Sequence, residues 1–157
     1  MSAGYKLIML IDEDEIDNII NQKIIESNNF AENIIVYQAG QDALDYLASN
    51  ADNAEKLPDI IFLDINMPIM DGFQFLENFE KLQDPIHNKC KIIMLSSSIS
   101  PRDIDRAASN RFVIKYLNKP LNSRYLEAIH VWFRMLPDLT QPDIGWGFSI
   151  CKLYGAF

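Results

Sequence analysis

The 157 residues carry 22 acidic against 14 basic side chains, a formal net charge of −8, with 48% hydrophobic residues and 7 prolines. This describes one globular domain, or one with a short appendage, and excludes a disordered chain; the acidic balance has the wrong sign for direct binding to DNA or another phosphate backbone. Cys90 and Cys151 have neither metal-ligand nor disulfide-framework spacing, no apolar run approaches the ~18 residues of a membrane span, and Met1 to Lys6 lacks a signal-peptide pattern, so the expected compartment is the cytoplasm, with no membrane partner.

Strand and helix periods alternate along the chain. Leu7 to Ile11 is a short apolar run of the kind buried on both faces of a parallel sheet, and Ile16, Ile19, Ile20 and Ile24 follow at the spacing of an amphipathic helix. Asp14 or Asp17 can cap that helix, and Glu15 and Asp17 read as helix-start charges favoured by the macrodipole. Ile34 to Tyr37 predicts a second strand, with Ala43, Leu44 and Leu47 after it; the polar loop Ala51 to Lys56 then leads to Pro58. Ile60 to Leu63 predicts the third strand, and Asp71 stands before Gly72 where the next helix begins, marked by Phe73, Phe75, Leu76 and Phe79. Ile92 to Leu95 is the fourth strand, followed by Ser100-Pro101 as an N-cap with proline at N1, then Ile104, Ala107 and Ala108. Val113 to Leu117 is the fifth, and Asn122 or Ser123 caps a last helix marked by Leu126, Ile129, Trp132 and Phe133. Strict alternation of this kind implies right-handed crossovers and a doubly wound α/β sheet with helices on both faces.

In such a sheet the site lies beyond the carboxyl ends of the strands. Asp12-Glu13-Asp14 follows the first, Asp64 the third, Ser96-Ser97-Ser98 the fourth and Lys119-Pro120 the fifth. Clustered carboxylates raise one another's pKa unless a cation offsets them, and these hard oxygen ligands suit Mg²⁺, which favours one or two carboxylates plus phosphoryl oxygens. Asp64 is then a carboxylate nucleophile for a phosphoryl group, Lys119 a second fixed positive charge, and Ser96 a hydroxyl donor whose movement makes binding a switch. Ser98 reads as a loop residue, Cys90 as a small hydrophobe, and His87 and His130 as structural or surface residues.

The segment from Pro58 to Gly72, with Asp64-Ile65-Asn66-Met67-Pro68 at its centre, resembles the phosphorylation-site signature of response regulator receiver domains of two-component signalling. The likeness runs from Lys6 to about Leu136, in particular to the single-domain, chemotaxis-type members. It implies a flavodoxin-like five-stranded parallel sheet of order 2-1-3-4-5 with five helices, and a phosphoacceptor at Asp64. The family's acidic pair maps onto Asp12 and Glu13, the carbonyl that completes its metal shell onto Asn66, its switch hydroxyl onto Ser96, its lysine onto Lys119 and its switch aromatic onto Tyr116. Glu13 stands where the family carries a second aspartate, so that metal contact falls to Glu13 or to Asp14.

The resemblance further implies a phosphoryl donor, either a sensor histidine kinase or a histidine phosphotransfer protein, and a downstream protein target met through the fourth helix, fifth strand and fifth helix. Two other readings compete with it. An aspartate-nucleophile phosphohydrolase normally places a second aspartate two residues after the nucleophile, where this chain has Asn66. A pseudo-receiver that binds partners without phosphorylation is motivated by Glu13. The expected domain is 1–136. The 137–157 extension changes composition at Pro137, and its stretch from Asp143 to Lys152 is weakly similar to a glycine-rich ATP box of sensor kinases. The preferred reading is an irregular extension in which Ile144, Trp146, Phe148 and Ile150 alternate to bury an apolar edge, with homodimer contact or strand exchange as its secondary use.

Overall fold

Continuous apolar runs become strands when both of their faces are covered. In the computed structural model, which describes residues 4–135, the runs form β1 (Tyr5–Ile11), β2 (Ala31–Tyr37), β3 (Ile60–Leu63), β4 (Lys91–Ser96) and β5 (Val113–Asn118). All pair in parallel, in the order β2-β1-β3-β4-β5. The helices are α1 (Glu15–Ser27), α2 (Gly40–Ser49), α3 (Gly72–Phe79), α4 (Asp84–Lys89), α5 (Pro101–Ser109) and α6 (Ser123–Met135), with a 3₁₀ turn at Ala54–Lys56. This is the doubly wound sheet expected from the alternation, in the flavodoxin-like order that the resemblance implies.

Side-chain alternation splits the core into two layers. Met9, Ile11, Ile61, Leu63, Ile92 and Met94 face Leu44, Leu47, Phe75, Phe79, Ile86 and Ala107 of α2 to α5. On the other face, Ile8, Leu10, Ile60, Phe62, Ile93 and Leu95 meet Ile25 of α1 and Leu126, Ile129 and Trp132 of α6.

The described helices number six where five were expected. The addition is α4, a six-residue helix with proline in its first turn and a single buried apolar residue, Ile86, too short for any apolar period to show. His87 within it has one ring nitrogen 2.7 Å from the Phe79 carbonyl oxygen and packs on Phe112, a structural role as expected.

The second difference is the rotation of α1. Most of its isoleucine stripe does not face the core: Ile16, Ile19 and Ile20 are exposed, whereas Ile24 packs against the core, and Asn18, Asn21 and Ile25 are buried. Asn18 donates to the Asp12 carbonyl at 2.8 Å, so a polar face of α1 is turned toward the ends of β1 and β3. Asp14 is the N-cap, accepting from the amides of Ile16 and Asp17 at 2.8 and 3.2 Å.

Other caps agree with the expected register. Asp71 and Gln74 form a reciprocal capping box at α3, and Asn122 accepts from the Tyr125 amide at 3.0 Å at the start of α6. Ser100 stands at the N-cap position of α5, with no side-chain cap bond.

One backbone position carries strain. Ile69 adopts φ 67°, a left-handed conformation that crowds a β-branched side chain, and it is fully exposed. Ile69→Asn is therefore expected to stabilise the protein by about 0.5–1 kcal/mol, because Asn tolerates that region and no packing is lost. Urea unfolding checks this: the midpoint rises with an unchanged m-value, whereas a lower midpoint contradicts it.

Candidate functional site

Sheet register builds the site. β1 and β3 are neighbours with Ile11 opposite Leu63, so the next residues, Asp12 and Asp64, emerge side by side; the Asp64 amide donates to the Ile11 carbonyl at 3.0 Å. β4 and β5 bring Ser96 opposite Asn118, and the Lys119 amide donates to the Ser96 carbonyl at 2.9 Å. This end of β1 and β3 is where the chain switches sides of the sheet, the usual location of a ligand crevice in open α/β sheets. The Lys119–Pro120 bond is cis.

Behind Asp64, the backbone is closed by Gly72. A Cβ at Gly72 would stand 2.5 Å from the Asp64 carbonyl oxygen and 2.9 Å from the Ile65 Cα, so no larger residue allows α3 to begin there. The Gly72 amide donates to the Ile65 carbonyl at 2.8 Å, which fixes the loop after β3 against the start of α3.

Three carboxylates gather around one ammonium. Lys119 Nζ lies 2.5 Å from Asp12 Oδ2, 2.8 Å from Asp17 Oδ2 and 3.5 Å from Asp64 Oδ1. The last is an ionic contact too long for a hydrogen bond, and Asp64 Oδ1 is a buried oxygen without a donor. Asp12 and Asp64 are 4% and 5% exposed. Burial, and secondly the charge of Asp12, push the Asp64 carboxyl up to about 6 against the opposing charge of Lys119. Burial lowers the Lys119 pKa, but hydrogen bonds to Asp12 and Asp17 and the nearby Asp64 charge outweigh it and hold the ammonium above its ordinary range.

The other expected residues stand at varying distance from this centre. Ser96 is fully buried at the end of β4, and its hydroxyl oxygen accepts from the Ser98 amide at 3.1 Å. Tyr116 is half-buried, and its hydroxyl donates to the Ser98 carbonyl at 2.7 Å. Ser98 also donates to Asp103 at 2.7 Å, consistent with a loop role. Glu13 and Asn66 are exposed. Among the described residues, no three Asp, Glu, His or Cys side chains are arranged to hold a metal ion.

Asp17 stands in the first turn of α1 as expected, but its contact with the site was not foreseen. It reads as a helix-start charge yet reaches Lys119 across 102 positions of sequence. Helix phase carries the missing signal, since residues 14, 17, 18 and 21 fall on one side of an α-helix and are all polar.

Comparisons with known proteins identify the family of this fold. The family model for the response regulator receiver domain matches residues 8–130. The probable methanogenesis regulatory protein FilR2 of Methanothrix harundinacea is 27% identical over 143 residues, spanning 91% of this chain and 86% of that protein. Response regulator Rcp1 of Synechocystis sp. is 25% identical over 123 residues, 77% of this chain and 81% of that protein. The crystal structure of a two-component response regulator from Cytophaga hutchinsonii superposes with a TM-score of 0.72 at 32% identity, covering 81% of this chain and 97% of its own. Among the described residues no helix is long and apolar enough to cross a membrane. With most of its length inside the family match and its strand order agreeing, the protein belongs to the response regulator receiver domain family of two-component signalling.

Proposed function

We propose that the chain is a receiver that accepts a phosphoryl group on Asp64 from a phosphohistidine, on a sensor histidine kinase or a phosphotransfer protein, and thereby switches a protein-binding surface. One observation carries this reading: Asp64 is buried at the end of the central β3, beside Asp12 and Lys119, with a carboxylate oxygen that no hydrogen-bond donor occupies. The Asp64 oxygen attacks phosphorus and forms the P–O bond while the P–N bond to the donor imidazole breaks; the imidazole nitrogen keeps the electron pair and takes a proton from solvent. Above a pH of about 6 Asp64 is the nucleophilic carboxylate.

The donor set fits Mg²⁺, because two hard carboxylates already share a cation and one of their oxygens is unpartnered. Asp12, Asp64 and the Asn66 carbonyl would hold the ion, and since Asp14 is committed to capping α1, Glu13 is assigned the remaining acidic role. The ion's contribution when bound is to neutralise the oxygens of the transferring group. Lys119 adds a fixed positive charge from the β5 side.

Ser96 must leave the Ser98 amide in order to donate to a phosphoryl oxygen. Because Tyr116 is tied to the same Ser98, that movement is transmitted to α5, β5 and α6, the output surface of this reading. We place the receiver in residues 1–136, in the cytoplasm; the 137–157 extension, its glycine-rich stretch and its proposed dimer contact lie outside the described residues.

The test is stoichiometry. Purified protein with acetyl phosphate and Mg²⁺ is expected to take up at most one phosphoryl group per chain and release phosphate slowly. Sustained turnover overturns this in favour of a phosphohydrolase, and a folded protein that never labels favours a pseudo-receiver.

A further inference from the structure

The contacts of Lys119 are unequal, and the longest is the one to the phosphoacceptor. Its ammonium lies 2.5 Å from Asp12 and 2.8 Å from Asp17, but 3.5 Å from Asp64. Asp12 is buried at the end of β1, a neighbour of β3, whereas Asp17 stands in the first turn of α1 with its side chain 36% exposed. Asp17 is thus the most exposed of the three carboxylates that the ammonium meets, and it is nearer to the ammonium than Asp64 is. A phosphoryl group on Asp64 brings roughly two negative charges into the same cluster, and it competes with Asp17 for the Lys119 ammonium, the only cation that the described residues place there.

We propose that Asp17 is a positioning residue that acts as a latch: in the unphosphorylated chain it holds the Lys119 ammonium away from Asp64, and a phosphoryl group on Asp64 takes that ammonium from it. The inference rests on Asp64 being the acceptor. Two electrostatic effects of Asp17 have the same sign, since its carboxylate both engages Lys119 and repels the incoming dianion. Asp17 therefore sets how strongly the site holds a phosphoryl group, although it touches neither the acceptor nor the incoming group.

The experiment titrates fluoroberyllate, a phosphoryl analogue that binds carboxylates, at saturating Mg²⁺, with the bound fraction read by ¹⁹F NMR. Asp17→Asn keeps the shape and removes the charge, and is expected to bind about fivefold tighter than wild type, while Asp17→Glu restores the charge and returns affinity to within about twofold. A purely structural ion pair would lower the urea midpoint of Asp17→Asn without tightening fluoroberyllate. Asp17→Asn binding no tighter than a wild type that does bind overturns the latch alone. A wild type that binds no fluoroberyllate overturns the acceptor reading, and the latch with it.

Discussion

Asp64→Asn is expected to abolish phosphoryl labelling and, in the same protein, to stabilise the fold. Burial and the adjacent Asp12 raise the Asp64 carboxyl to about 6, whereas in the unfolded chain it titrates near ~3.9. Between those values the folded protein retains a proton that the unfolded chain has released. Stability therefore falls as pH rises from about 4 to about 6, and the whole deficit is present at pH 7. Two units correspond to roughly 3 kcal/mol, so replacing the carboxylate by a neutral isostere is expected to gain about 1–3 kcal/mol at pH 7. Urea unfolding at several pH values checks the sign: Asp64→Asn unfolds at higher urea than wild type at pH 7, and the two converge below pH ~4. A variant less stable at pH 7 would contradict the placement of Asp64 in a desolvated acidic cluster.

Removal of the ammonium has the opposite sign. Lys119 has a raised pKa, so its contribution is fully present below its unfolded value of ~10.4 and is lost only at still higher pH. Lys119→Met leaves Asp12 and Asp64 buried side by side without a compensating charge. Breaking a buried ion pair from one side costs several kcal/mol, and we expect a loss of about 2–4 kcal/mol at pH 7 in the presence of a chelator. Two treatments restore part of it: lower pH, which protonates the carboxylates, and Mg²⁺, which replaces the missing charge. Urea midpoints of this variant with and without Mg²⁺ are the measurement. If the midpoint is unmoved by the mutation, or if Mg²⁺ does not raise it, the carboxylates are not acting as a shared cation site.

Both predictions concern side chains that were legible in the sequence, and the reason is geometric. In a parallel sheet the residue after each strand end emerges at the same edge, so Asp12, Asp64 and Lys119 needed only correct strand ends to be brought together. The strands themselves were visible as apolar runs because both faces of the sheet are covered. Helix α4 was not visible, since one buried residue defines no period. Helix α1 was found, but of its expected stripe only Ile24 packs on the core. Hydrophobic periodicity assumes that the apolar stripe turns inward, and here Asn18, Asn21 and Asp17 turn toward the polar strand ends while Ile16, Ile19 and Ile20 face outward. That inversion follows from placing a helix beside a charged site, and it also hid the Asp17–Lys119 pair.

The central claim is that Asp64 forms an acyl phosphate. Treating the protein with acetyl phosphate and Mg²⁺, reducing it with borohydride and mapping its peptides by mass spectrometry locates that bond directly, because reduction converts a phosphorylated aspartate to homoserine. The account predicts homoserine at position 64 alone, dependent on Mg²⁺. Homoserine at Asp12, Glu13 or Asp17 instead, or none in a folded protein, would contradict it.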